Sequence, residues 1–82
     1  MIRKNEDMEV YKNYLHDLGV LIKEMAFEAK VDATQKQTEE FAIGYMSAFC
    51  RVVSLMQQQA EAFDIPLEKI GLDEIDPYTD LV

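Results

Sequence analysis

The sequence predicts an all-α chain: an antiparallel helical hairpin of two long helices with a short C-terminal helix or arm, dimerising into a four-helix bundle. Three observations lead there. Both prolines, Pro66 and Pro77, stand late in the 82 residues, so no proline breaks the first sixty-odd positions. Apolar residues recur in alternating steps of three and four over two long stretches, the spacing of one helix face. The second stretch is apolar around most of its circumference, which marks an interior helix and exceeds what one neighbour can cover.

The first helix is expected over about 6–30. Asn5 is a candidate N-cap, and Glu6 and Asp7 in the first turn complement the helix dipole. Met8, Tyr11, Leu15, Leu18, Ile22, Met25 and Ala29 form an a/d stripe. Tyr14 and Leu21 widen it on one side and Ala26 on the other, while Lys12, Asn13, Lys23, Glu24 and Lys30 make a wet side. The polar stretch 31–37 reads as the break. Asp32 with Gln35, or Thr34 with Gln37, matches the spacing of a capping box for the next helix.

The second helix is expected over about 34–63. One apolar stripe runs Ala42, Met46, Phe49, Val53, Met56, Ala60 and Phe63, and a second runs Phe41, Tyr45, Ala48, Val52 and Leu55. A single polar seam of Glu40, Gly44, Ser47, Arg51, Ser54, Gln58 and Glu61 separates them on the far side. The first helix can bury one stripe only. The excess predicts self-association, with Phe41, Tyr45, Met46, Phe49, Val52, Val53, Met56 and Phe63 as the oligomer interface. Gly44 and Ala48 have the small-x-x-x-small spacing of a close helix crossing.

Beyond Phe63 the pattern changes. Asp64-Ile65-Pro66-Leu67-Glu68-Lys69-Ile70-Gly71 reads as a cap, a proline in the first turn, a short helix over 66–70 and a glycine stop. An arm over 71–82 is expected to pack through Leu67, Ile70, Leu72 and Ile75 and then fray. Its acids, Asp73, Glu74, Asp76 and Asp80, are candidates to face a partner. The whole of 1–82 reads as one domain.

Sixteen acidic residues against eight basic ones give a net charge of -8. Such a surface repels nucleic acid and anionic lipid, so neither direct nucleic-acid binding nor membrane attachment is expected. The charge serves solubility, and it suits a basic protein partner. Cys50 is the only cysteine, which excludes an internal disulfide and fits a reducing compartment. The start of the sequence lacks an apolar signal segment, and Arg51 splits the longest uncharged runs well short of a membrane span. A cytoplasmic location is expected.

No constellation carries chemistry. His16 is the only histidine, and one histidine without a cysteine cluster makes no ordinary zinc site. Glu39-Glu40 begins like the Glu-Glu-x-x-Glu magnesium pattern of helical nucleotide pyrophosphohydrolases, but Ile43 stands where the third carboxylate belongs. Ser47 and Ser54 have no histidine nearby in sequence. The expectation is a protein that is no enzyme and holds no cofactor or metal. It is instead a small acidic homo-oligomer acting as adaptor, inhibitor or immunity-type binder. It is similar to colicin-type immunity proteins in size and acidity, with no residue motif in common. The alternative is an apolar-ligand or regulatory protein, with Met25, Met46, Met56 and the aromatics lining a pocket.

Overall fold

The computed structural model describes residues 4–36 and 39–82, and side chains from Met8 onward. Among these residues the chain is all-helical, 81% helix with no strand. Helix α1 spans Lys4–Gln35, α2 spans Glu40–Ala62, a 3-10 turn spans Leu67–Ile70, and α3 spans Pro77–Asp80.

α1 runs about a turn past its expected end, because nothing in 31–35 breaks it. Asp32 is no cap: it sits mid-helix and pairs with Lys36 at i, i+4, 3.2 Å apart. Thr34 returns its hydroxyl to the Lys30 carbonyl at 2.8 Å. Gln37, its supposed capping partner, lies outside the described residues. At the other end α1 begins at Lys4, ahead of Asn5. The turn between helices is tight, with the Glu39 amide donating to the Lys36 carbonyl at 3.0 Å.

The two helices run antiparallel and meet through small side chains. Ala29 and Ala33 pack with Met46, and Ala26 packs with Val53 and Ala60. Alanine on both sides lets the axes approach closely, at the cost of little apolar area per contact. The buried face of α1 is thus the line Gly19, Ala26, Ala29, Ala33, offset to one side of the large a/d stripe. Gly44 makes no close crossing; a side chain there would meet open space. The small-residue spacing of Gly44 and Ala48 marks an exposed part of α2.

α2 ends in a Schellman turn. Ile65 donates to the Ala60 carbonyl at 2.8 Å and Asp64 to the Glu61 carbonyl at 3.0 Å, with Asp64 in the left-handed region at φ 55°. The chain then crosses α1 at its closest approach. A methyl on Gly19 would sit 1.5 Å from the Ile70 carbonyl oxygen, and one on Gly71 would sit 2.6 Å from that of His16. Gly71 also takes φ 69°, so it is the glycine stop that the sequence suggests, and it serves the crossing as well.

From there the C-terminal segment runs back along the groove between the helices, and it does not fray. Leu72, Ile75 and Leu81 are buried, Leu81 to 1% exposure. An irregular segment in a groove needs partners for its carbonyls. Long side chains of both helices supply them. Gln57 donates to Leu72 and Ile75 at 3.1 and 2.8 Å, Lys23 to Asp73 at 3.1 Å, and Lys30 to Val82. The Cys50 thiol reaches the Pro77 carbonyl at 3.4 Å. Lys23 and Lys30, expected on a wet side, are therefore tethers.

Candidate interaction surface

The C-terminal segment covers one side of the hairpin only. On α1, Val20, Lys23 and Lys30 turn toward it from the Ala26–Ala33 line, while Tyr14, Leu18, Leu21 and Met25 turn the other way. On α2, Cys50, Ser54 and Gln57 turn toward it, while Tyr45, Val52, Leu55 and Phe63 turn away. In an antiparallel pair both away-sides fall on the same broad face. That face is open: Tyr14, Leu21, Met25, Tyr45, Val52, Leu55 and Phe63 are all exposed, Leu55 at 56% and Phe63 at 71%.

The open face is apolar over most of its length. Its α1 half is Tyr11, Tyr14, Leu18, Leu21 and Met25, and its α2 half is Phe41, Tyr45, Ala48, Val52, Leu55, Gln59 and Phe63. Toward the interhelix turn the α1 half continues with Glu28, Asp32 and Lys36, the last two paired with each other. Phe41 stacks on Tyr45 with centroids 6.0 Å apart, and Tyr45 meets Phe49 edge-on at 5.2 Å. At the α2 C-terminus the face deepens into an apolar groove of about 290 Å³, lined by Leu15, Leu55, Met56, Phe63, Ile65 and Ile70.

The residues expected at an oligomer interface divide. Phe41, Tyr45, Val52 and Phe63 are exposed on the open face. Phe49 and Met56 are half-buried at its inner edge. Met46 and Val53 are not available to a second chain, because α1 and the C-terminal segment already bury them, Val53 completely. Leu55, which the sequence placed on the same stripe as Tyr45, belongs to the open set. So do Tyr14, Leu21 and Met25 of α1, whose role the expected interface left out. The a/d stripe of α1 was the signal for them.

The acidic arm is mostly engaged at home. Asp76 caps α3, accepting from the Tyr78 amide at 3.0 Å and the Thr79 hydroxyl at 3.1 Å, and Asp80 accepts from the Asp76 amide at 2.9 Å. Asp73 lies 3.9 Å from the Lys23 ammonium. Glu74 is exposed at φ 60°, with no side-chain bond among the described residues.

The polar seam of α2 borders a second groove, about 560 Å³, where Ser54, Gln58, Glu61, Pro66 and Tyr78 meet. Ser54 is buried there, and its hydroxyl has no partner among the described residues. Ser47 donates to the Ile43 carbonyl at 2.9 Å. His16 stands exposed on α1, its Nδ1 3.7 Å from the Asp17 carboxylate. No helix among the described residues is long and apolar enough to cross a membrane.

Fold and surface together define a small chain, all-helical among the described residues, with one broad, mainly apolar side left open. Comparisons of this chain with protein-family models, curated proteins and solved structures found no match.

Proposed function

We propose that the chain is a non-enzymatic protein–protein interaction module that acts as a homodimer, two hairpins stacking their open faces into a four-helix bundle. The observation that carries this is the broad apolar face opposite the C-terminal segment. The half-buried residues Leu18, Ile22, Phe49 and Met56 lie along its inner edge, so a second hairpin would complete a core that one hairpin leaves half built.

Size and charge both favour a second copy. α2 has 23 residues, and at ~1.5 Å per residue, beside a neighbour ~10 Å away, the face offers roughly 700 Å² per copy, close to the ~800 Å² per partner of standard interfaces. Two chains of net charge -8 repel each other through any acidic face. Over the stretch from Tyr14 to Met25 and from Tyr45 to Phe63 this face holds no charged side chain, and Asp32 beyond it is already paired with Lys36.

The assembled dimer would present an acidic exterior. Lys23, Lys30 and Lys36 already hold oxygens of their own chain, which supports reading that exterior as a surface for a basic protein partner, in the manner of an adaptor or inhibitor. The test is light scattering at tens of micromolar. The wild-type mass should equal two chains. Leu55→Lys or Tyr45→Lys should give one chain with helical circular dichroism retained, because each would bury an unpaired charge only in the dimer. A one-chain mass for the wild type sinks the proposal.

A further inference from the structure

We propose that the groove beside the polar seam of α2 seats an arginine side chain of the basic protein partner, its guanidinium held by Glu61 and Asp64 against Tyr78. This rests on the reading of the acidic exterior as a partner surface, and it names where on that exterior the partner is gripped.

The acids of the chain differ in what faces them. Asp32 pairs with Lys36, Asp73 with Lys23, and Asp76 and Asp80 are tied into the α3 cap. Glu61 and Asp64 have no such partner among the described residues, and both line the groove of about 560 Å³. They stand at the end of α2, where the helix carbonyls carry the negative end of its dipole and the last turn holds no basic residue of its own. A cation is the charge this end of the groove lacks.

Ser54 gives a second, independent sign of a missing group. It lines the same groove at 8% exposure, and its hydroxyl has no hydrogen-bond partner among the described residues. A buried hydroxyl left unpaired is costly, and a donor seated in the groove would relieve it. Gln58, one turn further along α2, adds an amide oxygen. Two carboxylates, a hydroxyl and an amide oxygen can all accept, which suits a group with many donors and no acceptor. The guanidinium has five donors in one plane, and that plane also packs on aromatic rings. Tyr78, 67% exposed, brings such a ring to the groove from α3, and Pro66 and Leu67 offer apolar surface for the arginine stem.

Arg51 sets the direction. It lines an adjoining groove of about 450 Å³ that shares Ser54, Gln58 and Tyr78, and it would repel a base there. The partner's arginine therefore sits at the Glu61 end, several turns of α2 away. Both grooves follow the polar seam, which turns away from Tyr45, Val52 and Phe63, so a dimer formed through the open face leaves them accessible.

The experiment titrates the isotope-labelled full chain at low salt with the tripeptide acetyl-Gly-Arg-Gly-amide and follows amide chemical shifts by NMR. The citrulline analogue, alike in shape but uncharged, is the control. The expected shifts gather at Gln58, Glu61, Asp64, Leu67 and Tyr78, saturate, and are absent with citrulline. Glu61→Gln, at an exposed position that leaves the core alone, should weaken the peptide about fivefold. Glu74→Gln, the same loss of charge at an exposed site off the groove, should leave it nearly unchanged. Ser54→Ala should weaken it about twofold with the urea midpoint unchanged or raised. Shifts spread over acids elsewhere, equal binding of the citrulline peptide, or equal weakening by Glu61→Gln and Glu74→Gln would overturn the site and leave the basic-partner reading standing. No shift with the tripeptide overturns the site, and no shift with oligolysine either overturns the basic-partner reading as well.

Discussion

Along the side of the hairpin that holds the C-terminal segment, Leu72, Ile75 and Leu81 are buried over alanines and the segment's carbonyls are met by Gln57, Lys23 and Lys30. Along the opposite side, Tyr14, Leu21, Val52, Leu55 and Phe63 lie open. The two sides flank the same pair of helices and differ in what the rest of the chain does for them. Where a segment of the same chain supplies the cover, the helices present small residues and long hydrogen-bonding ones. Where no segment does, they present large apolar ones. The sizes of the side chains report where the chain covers itself and where it does not.

Four substitutions break or sharpen that contrast. The largest effect belongs to the covered side at its tightest point. Gly19→Ala drives a methyl into the Ile70 carbonyl, a backbone atom that cannot step aside, and should cost about 3 kcal/mol or more, read as a lowered urea midpoint. Next is one truncation made on both sides. Leu81→Ala should cost about 2–3 kcal/mol, because Leu81 is buried within one chain. Leu55→Ala, measured dilute enough to keep chains single, should stay within about 0.5 kcal/mol. Equal losses for the two would erase the distinction between the sides. The smallest loss expected on the covered side is that of Asp76→Ala, which removes the α3 cap and should cost about 1 kcal/mol, with faster hydrogen exchange at the Tyr78 amide.

Much of this contrast was legible in residue order. The steps of three and four located both helices, the breadth of the apolar arc on α2 showed that one neighbour was too few, and Gly71 marked a stop. The packing side of α1 was not legible, because periodicity is dominated by large residues. The contact was made by Gly19, Ala26, Ala29 and Ala33; Ala29 stood on the stripe and Ala26 beside it, but nothing singled out these small residues, with Gly19 and Ala33, as the line of closest approach. The fate of the arm was hidden for a different reason. Its order depends on Gln57, Lys23 and Lys30 reaching carbonyls far away in sequence, and no local pattern announces such a bond. The same distance hid the difference among the interface residues. Met46 and Val53 share stripes with Phe49 and Phe63, and only the path of α1 and the arm separates the inner from the outer.

The tethers also set an order of events in time. The bond from Lys23 to Asp73 spans 50 residues and that from Lys30 to Val82 spans 52, whereas the alanine seam of the hairpin closes across a tight turn. Closing the longer loops costs more chain entropy before any contact rewards it. For these two tethers, chain entropy favours closing the hairpin before the arm reaches α1. A hairpin without the docked arm would have both sides bare, and the close approach of Gly19 to Ile70 is where the arm begins to leave only one of them open.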